Sequence, residues 1–298
     1  SKASQQKPLS TGGMRYKHLK LEFYYPTSAD GNEAAAEMYD KNIFSVTRQL
    51  RYVSDALPTA PDLVVFLNGL PIITFELKND ITKQSTRDAV LQYCSDRDPK
   101  DPKNAPLFAF KKCMVHFAVD EDTVMMCTKL EGKNSWFLPF NKGRDDGAGN
   151  PNVAVGYRTD YLWKDILTKS ELSNIIQNYA QVVEEKDPDT GVKTYKQIFP
   201  RYHQLFVVKS LLSDAERDGV GGKYLIQHSA GSGKSNSIAW LAHQLITLKK
   251  DGVNIYDTVL VVTDRLNLDK QIRNTIRQFA EVRSTVGWAN DSSKLRTL

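Results

Sequence analysis

The sequence is poor in the residues that build disulfide frameworks and zinc sites. It has three cysteines, Cys94, Cys113 and Cys127, which are far apart and form no CxxC pair, and its five histidines show no HExxH spacing. Disulfide frameworks and zinc sites both need cysteines or histidines at closer, paired spacings. We therefore expect reduced thiols, and for any bound metal we expect a hard cation held by carboxylate oxygens.

Apolar runs long enough to cross a membrane are also missing, as is a strong excess of one charge. No run approaches the roughly 20 residues that span a bilayer, and the opening residues SKASQQKPLS lack the apolar core of a signal peptide. The formal net charge is +5, from 40 basic and 35 acidic side chains, which is compatible with a nucleic-acid partner but does not establish one. The sequence thus predicts a cytoplasmic protein with no membrane partner.

The length of 298 residues favours two domains rather than one. Apolar, β-branched runs typical of strands occupy residues 40–130, and residues 160–183 have helical spacing with Ser170 or Ser173 as a possible cap. Charge, proline and glycine come together at residues 184–194, a composition typical of a domain boundary. We predict a first domain over residues 1–185, a linker over 186–194 and a second domain over 195–298.

A glycine-rich loop follows this boundary, within the run YLIQHSAGSGKS. Residues 224–227 form a predicted strand, and Lys234 begins a predicted amphipathic helix. This order is typical of a P-loop, whose backbone N–H groups surround phosphate oxygens at the positive end of the helix. Lys234 would bridge the β- and γ-phosphates of ATP and the Ser235 hydroxyl would bind Mg²⁺, although His228 stands where the pattern usually has its first glycine. The loop residues expected to contact the nucleotide are Ser229, Ala230, Gly231, Ser232 and Gly233. The alternative is a glycine-rich helix start that binds no ligand.

Two segments near the P-loop resemble motifs of superfamily 2 helicases. The continuously apolar run at residues 258–264 predicts a strand buried on both faces. In that family the end of this strand touches the DNA backbone, so Thr263 and Arg265 are candidate phosphate contacts. Upstream, PRYHQ resembles the element that reads adenine, with Gln204 as the base-reading side chain; a surface glutamine is the alternative. No DExx-type strand end and no arginine-finger motif occur before Leu298, so the chain alone is expected to bind nucleotide weakly and hydrolyse it poorly.

The run PDLVVFLNGLPIITFELKN contains a second group of chemically active residue types. Its Asn-Gly pair, between two β-rich stretches, predicts a hairpin. Glu76 and Lys78 are two residues apart and therefore share one face of the second strand. A strict two-residue turn would pair Asp62 with the residue before Glu76. A longer turn, or a bulge at the proline that follows the turn, would bring Asp62 opposite Glu76 instead, and we expect that arrangement.

Phosphodiester cleavage accounts for these residue types. The reaction needs a Mg²⁺ ion to neutralise developing negative charge and to help ionise the attacking water. Asp62, Glu76 and the backbone carbonyl of Leu77 would supply oxygen ligands, and Lys78 would hold or deprotonate the water and stabilise the transition state. The helix predicted to follow resembles one in the RecB-like nucleases that carries a QxxxY motif; Gln92 stands at the glutamine, with Asp96 in place of the tyrosine. The resemblance makes Gln92 a candidate for orienting the site or the DNA. The alternatives are a solvated strand face for Glu76 and Lys78 and a plain surface glutamine at position 92.

Four segments in this order resemble the R subunits of type I restriction enzymes: Lys41–Tyr52, the hairpin run, Phe137–Trp163 and the P-loop. The resemblance implies an α/β protein in which a RecB-like PD-(D/E)xK nuclease domain, a mixed sheet flanked by helices, precedes part of a RecA-like motor domain with a parallel sheet. It implies an endonuclease that cuts double-stranded DNA with Mg²⁺ and couples cutting to ATP-dependent translocation. It also implies a longer chain that assembles with modification (methyltransferase) and specificity subunits.

Two other functions stay open on the sequence. A stand-alone helicase-nuclease of the DNA-repair kind would carry the same two sites, although the loop around residues 147–150 is of the restriction type. A catalytically inactive nuclease-fold module that docks on DNA would keep the fold without the chemistry. Divalent-dependent cleavage distinguishes this last alternative from an active nuclease.

Overall fold

The computed structural model describes residues 13–16, 19–27, 32–52, 60–144, 148–187, 190–278, 286–289 and 294. The chain divides into two compact units, residues 1–203 and 204–298. Of the residues predicted as a linker, 186, 193 and 194 belong to two paired strands of the first unit. The position of the domain boundary stays a prediction.

The first unit combines strands and helices around one main sheet. Its strands, in chain order, are β1 (Gly13–Tyr16), β2 (Leu19–Glu22), β3 (Phe44–Arg48), β4 (Leu63–Leu67), β5 (Leu70–Leu77), β6 (Val115–Val119), β7 (Val124–Cys127), β8 (Leu138–Pro139), β9 (Gln181–Lys186) and β10 (Lys193–Ile198). Its helices are α1 (Glu33–Asp40), α2 (Thr86–Asp96), α3 (Ala105–Phe108) and α4 (Lys169–Asn178). The predicted mixed α/β class is confirmed.

The main sheet has six strands in the order β3-β4-β5-β6-β7-β8. Strands β5 and β6 are parallel, and every other neighbouring pair is antiparallel. Helix α2 lies in the connection between the two parallel strands, as a parallel crossover requires. This arrangement brings the carboxyl ends of β5 and β6 to one edge of the sheet.

The hairpin of β4 and β5 contains the bulge expected from the chemistry. Its turn is the two-residue type, with Asn68 and Gly69 at φ of 49° and 82°, the left-handed values that this turn demands. The pairing then shifts, because Phe66 pairs with Pro71 but Val65 pairs with Ile73. One residue of β5 is thus additional to the ladder, and a bulge of this kind changes the register of all later pairs.

The two faces of the sheet pack against different partners. On the α2 face, buried residues form a cluster that includes Val64, Ala89, Tyr93 and Phe108. On the opposite face, Phe75 stacks on Phe117 and contacts Trp163, with ring centroids 5.4 and 5.2 Å apart. Successive side chains of β5 alternate between these faces. Glu76 therefore points toward α2, on the opposite face of the sheet from Phe75.

The helical spacing at residues 160–183 corresponds to shorter elements than expected. A π-helical turn spans Leu162–Ile166, α4 follows, and the chain is already extended in β9. The cap of α4 is Thr168, which accepts from the backbone N–H of Glu171, so the prediction of a cap at Ser170 or Ser173 is wrong. The Ser173 hydroxyl is instead bonded within the helix, to the carbonyl of Lys169. Residues 141–144 and 148–152, around the restriction-type loop, carry no helix or strand.

The second unit is mainly helical in the part that the structure describes. It contains α5 (Tyr202–Asp218), which begins just before the division, α6 (Lys234–Leu245), the short antiparallel pair β11 (Lys249–Lys250) and β12 (Val253–Asn254), and α7 (Leu266–Gln278). Trp240 of α6 is fully buried. Within the described segments of either unit, no helix is long and apolar enough to cross a membrane.

The strands predicted on either side of the P-loop helix are not formed. Residues 224–227 and 258–264 belong to no strand, and Leu225 and Val262 are 94% and 81% exposed. A parallel strand requires a neighbour that supplies its hydrogen bonds, and neither segment has one among the residues described. The predicted parallel sheet is therefore absent from the described part of this unit.

Candidate functional site

The carboxyl end of β5 gathers most of the residues predicted for the first site. The parallel pairing continues past the strand, because the backbone N–H of Lys78 donates to the carbonyl of Val119 at 2.8 Å. Glu76, Leu77 and Lys78 are thus held in extended backbone against β6. The sheet fixes the backbone positions of these residues, so the geometry of the site depends on how their side chains are held.

Asp62 lies immediately before β4 and is bonded to two other segments. Its Oδ2 accepts from the backbone N–H of Leu77 at 2.7 Å, and its Oδ1 accepts from Nε2 of Gln49 at 2.8 Å. The ladder ends at the pair of Leu63 and Phe75, and the backbone N–H of Asp62 donates to the carbonyl of Phe75 at 3.1 Å. Asp62 is thus held beside the end of β5, and its direct pairing with Glu76 stays a prediction.

Glu76 is fully buried and bonded to an arginine that the sequence did not single out. Its Oε1 accepts from Nε of Arg97 at 2.8 Å, and both side chains are at most 2% exposed. Burial raises the pKa of Glu76 to about 7, although Arg97 opposes that rise and Lys78 does so more weakly; the charge of Asp62 adds to it. A solvated strand face is the wrong description for Glu76.

Lys78 and Gln92 are joined directly. The Lys78 Nζ donates to Oε1 of Gln92 at 2.7 Å, across the gap between the end of β5 and helix α2. Both side chains are half-buried. The next residue, Tyr93, faces the sheet and shares a hydrogen bond of 2.9 Å with Thr74. Gln92 therefore points to the site while its neighbour packs in the core, and the role of Gln92 stays a prediction.

The arrangement offers a hard cation few but suitable ligands. Glu76 Oε2 is buried and has no hydrogen-bond partner among the residues described, which is costly unless another ligand is present. In the described ranges no three His, Cys, Asp or Glu side chains come together as a complete metal site. Mg²⁺ commonly takes only one or two carboxylates and completes its shell with water and substrate phosphate oxygens. The two carboxylates of Asp62 and Glu76, with the Leu77 carbonyl, match this coordination preference of Mg²⁺.

Two residues beside the site escaped the sequence reasoning. Arg97 and Gln49 each bond a carboxylate of the pair, yet they lie 21 and 13 residues from their partners and belong to no spacing pattern. Gln49 has φ of 48°, a left-handed conformation that costs a non-glycine residue about 1 kcal/mol or more. Its backbone N–H also donates to the carbonyl of Asp62 at 3.0 Å. Only Gln49 could have been noticed in the sequence, because it lies in Lys41–Tyr52, one of the segments that resemble R subunits.

The glycine-rich loop of the second unit precedes helix α6 as predicted. Gly231 and Gly233 have φ of 73° and 81°, and Lys234 is the first residue of the helix. The Lys234 ammonium donates to the carbonyls of His228 and Ser229 at 3.0 and 2.8 Å. The lysine is therefore folded over the loop, the position from which it would reach a phosphate.

The remaining second-unit candidates differ in burial. Gln204 is 3% exposed, and its Nε2 donates to the carbonyl of Gly233 at 2.9 Å, so the alternative of a surface glutamine is wrong. Ser232 is buried and Ser235 half-buried, whereas Ser229, Ala230 and Gly231 are exposed. Thr263 is half-buried, and Arg265 is exposed, 3.8 Å from Asp264. These positions leave the predicted nucleotide and DNA contacts as predictions.

Comparison with known proteins identifies relatives for both units. Residues 14–135 match the family described as the type I restriction enzyme R protein N terminus, and residues 203–298 match the SWI2/SNF2 ATPase family. Over the first of these ranges the chain is similar to type I restriction R proteins. It is 27% identical over 246 residues to the HindI endonuclease subunit of Haemophilus influenzae, covering 80% of this chain and 22% of that protein. It is 24% identical over 289 residues to a protein named as the MjaIXP endonuclease subunit of Methanocaldococcus jannaschii, covering 88% of this chain and 25% of that protein.

These relatives confirm the resemblance drawn from the sequence. The chain spans about a quarter of the length of the curated restriction subunits that it matches. The R-protein match contains every hairpin-site candidate, from Asp62 to Gln92, and the ATPase match contains the P-loop. The segment Phe137–Trp163 lies outside both matched ranges. Its Asn150 is 3% exposed and bonds the carbonyl of Asp122 and the side chain of Asn141, so it holds the loop in place.

Proposed function

We propose that the chain carries the nuclease site and the first motor motifs of the restriction subunit of a type I restriction enzyme. In this proposal the protein is cytoplasmic, cuts double-stranded DNA with Mg²⁺, and couples cutting to ATP-dependent translocation. It works with modification and specificity subunits that recognise the DNA sequence. The observation that carries the proposal is the convergence of Asp62, Glu76, Lys78 and Gln92 at one strand end in a chain related to restriction endonuclease subunits.

The side chains divide the chemistry between them. Asp62, Glu76 and the Leu77 carbonyl would hold the cation, and the unbonded Oε2 of Glu76 is the atom best placed to do so. When bound, Mg²⁺ would neutralise charge that develops on the phosphate and help ionise the attacking water. Lys78 would hold that water and stabilise negative charge in the transition state. Gln92, bonded to Lys78 at 2.7 Å, would keep the ammonium directed into the site.

The nucleotide loop has a separate role in the proposal. Lys234 would exchange its two backbone carbonyl partners for β- and γ-phosphate oxygens, and Ser235 would contact Mg²⁺. Gln204, beneath the loop, would read adenine, while Thr263 and Arg265 would touch the DNA backbone. The match to an ATPase family over residues 203–298 supports this part.

One observation favours the alternative of an inactive DNA-docking module. An arginine already occupies one oxygen of Glu76, so the carboxylate has a partner without any metal. Such a pair also occurs in structural cores. The partnerless second oxygen of Glu76 and the Lys78–Gln92 contact favour the active nuclease.

The test uses the full-length subunit assembled with its modification and specificity subunits. Glu76→Gln, Asp62→Asn and Lys78→Met should each reduce cutting of unmethylated circular duplex DNA by roughly 100-fold or more, because each removes a cation ligand or the water-holding ammonium. ATP hydrolysis should persist, since the two sites use different residues. Glu131→Gln, at an exposed glutamate paired with Lys129, is the matched control. If Glu76→Gln cuts DNA at the wild-type rate, this site does not catalyse cleavage, and the alternative of an inactive DNA-docking module holds for it.

A further inference from the structure

Arg97 bonds strand β5 and the segment that leads into β4. It follows the last residue of α2, is 2% exposed, and its Nε donates to Glu76 Oε1 at 2.8 Å. Its Nη2 donates to the carbonyl of Ala60 at 2.9 Å. Ala60 lies two residues before Asp62, and Pro61 between them has a fixed φ. One guanidinium therefore reaches Glu76 directly and Asp62 through a stiff two-residue segment.

The backbone around Arg97 is itself held in place. Nδ2 of Asn104 donates to the carbonyls on both sides, those of Asp96 and Asp98, at 2.9 and 3.1 Å. The Oδ1 of Asn104 accepts from the Tyr52 hydroxyl at 2.8 Å. The guanidinium carbon also lies 5.9 Å from the centre of the Phe108 ring, within the range of a cation–π contact. Such support fixes the direction of the guanidinium before any ligand arrives.

We propose that Arg97 is a positioning residue of the nuclease reaction, which holds Glu76 by Oε1 so that Oε2 faces the cation and which fixes the approach to Asp62. This inference rests on the proposed nuclease function. The two donors of Arg97 diverge in the fixed plane of one guanidinium, so they set the spacing between the β4 and β5 segments. Residues that orient metal ligands in this way typically change metal affinity or activity by about 10- to 100-fold when they are replaced.

A purely structural ion pair is the competing explanation, and it makes a different prediction. A structural role would affect folding of the first unit and leave the cation dependence of the folded enzyme unchanged. A positioning role would weaken cation binding even in protein that is fully folded. A lysine at position 97 distinguishes the two explanations further. It keeps the charge, but its single ammonium cannot reproduce both bonds of the guanidinium.

The experiment measures DNA cutting against Mg²⁺ concentration in the full-length assembled enzyme, with Mn²⁺ binding to the full-length subunit followed by electron paramagnetic resonance. Arg97→Met should raise the half-saturating Mg²⁺ concentration and the Mn²⁺ dissociation constant by about 10-fold or more, with ATP hydrolysis unchanged. Arg97→Lys should fall between this variant and the wild type. Arg87→Met, at an exposed arginine of the same helix, is the charge control. Val64→Ala, at a fully buried residue on the same face of the sheet, is the stability control.

The outcomes separate the two proposals. If Arg97→Met keeps the wild-type Mg²⁺ dependence and loses only thermal stability, as Val64→Ala should, Arg97 is structural and the inference fails. If Arg97→Met does not fold, a folded Arg97→Lys with wild-type Mg²⁺ and Mn²⁺ affinity overturns the inference equally. If the wild type binds Mn²⁺ no better than Glu76→Gln and does not cut DNA, the proposed nuclease function itself fails and the inference fails with it.

Discussion

The hairpin site and the nucleotide loop differ in what holds their side chains. At the hairpin site, Asp62, Glu76 and Lys78 each have a side-chain bond to another segment, and the sheet fixes the backbone beneath them. In the nucleotide loop, Lys234 bonds two carbonyls five and six residues earlier in the same loop. The apolar segments on either side are exposed.

The difference follows from how each site obtains its strands. An antiparallel hairpin pairs sequence neighbours, so β4 and β5 build their ladder within about 15 residues, as hairpins typically do. A parallel sheet needs strands from distant parts of the chain. The two strands of the hairpin are therefore formed in the described structure, whereas the loop has its helix but not its sheet. Three predictions test this difference between the two sites, and the one with the largest expected effect comes first.

The first prediction tests whether the nucleotide loop, which has few contacts to other segments, controls DNA cutting at the hairpin site. Lys234→Ala should reduce ATP hydrolysis in the full-length assembled enzyme by roughly 100-fold or more, the size typical of losing a preorganised donor. It should also suppress cutting of circular duplex DNA, although Lys234 takes no part in phosphodiester chemistry. Lys223→Ala, at an exposed lysine of the same unit, is the matched control. Full-rate cutting without ATP hydrolysis would mean that the two sites act independently, as in a nuclease with an accessory ATPase.

The second prediction compares truncation of apolar side chains in the two units of the 298-residue chain. Ile73 in β5 is fully buried, while Leu225 beside the P-loop is 94% exposed. Ile73→Ala should lower the free energy of unfolding of the first unit by about 2–5 kcal/mol. Leu225→Ala should change that of the second unit by less than about 0.5 kcal/mol. Hydrogen exchange of peptides from each unit measures both, and equal losses would contradict the contrast.

The third prediction concerns acid sensitivity of the first unit. Burial lowers the pKa of His116 to about 3, and its Nδ1 is bonded to the Thr74 hydroxyl at 2.8 Å. The unfolded chain takes up this proton near pH 6.5, whereas the folded protein does so only near pH 3. Stability from this group is therefore complete above about pH 6.5 and falls by about 1.4 kcal/mol per pH unit below it. Glu76, with its pKa raised to about 7, contributes a slope of the opposite sign over much of this range. The test is therefore a difference: the stabilities of the wild type and of His116→Phe, followed by unfolding of β5 and β6 between pH 7 and 4, should differ in slope by about 1.4 kcal/mol per pH unit. Equal slopes would assign the proton uptake to other groups.

The hairpin site could be predicted in part because its geometry is local. The Asn-Gly turn fixed the two strands, and the requirement that Asp62 face Glu76 selected the bulge over a regular ladder. Gln92 was singled out by a resemblance to the helix of RecB-like nucleases rather than by spacing, and it bonds Lys78. The carboxylates and the lysine needed only the period of a strand and the chemistry of a divalent cation.

The rest could not be predicted because it depends on contacts between distant segments. Arg97 reaches Glu76 only once α2 has packed on the sheet, and an arginine at a helix end has no distinctive spacing. The prediction of strands at residues 224–227 and 258–264 was wrong for a related reason. An apolar run indicates that a segment can be buried, but it does not identify the neighbouring strand that would bury it. Thr168 displaced Ser170 and Ser173 as cap of α4 because a π-helical turn precedes the helix.

The bulge in β5 also determines where this hairpin can change in length during evolution. Pairing resumes at Val65 and Ile73 after one residue of β5 has been left over. Loss of Ile72 would convert the bulge into a regular ladder and leave the pair of Leu63 and Phe75, and with it Asp62 beside the end of β5, unchanged. Loss or gain of one residue between Ile73 and Glu76 would instead turn the carboxylate to the opposite face of the sheet. Related sequences should therefore tolerate insertions and deletions beside the turn, and none in the four residues that end at the carboxylate.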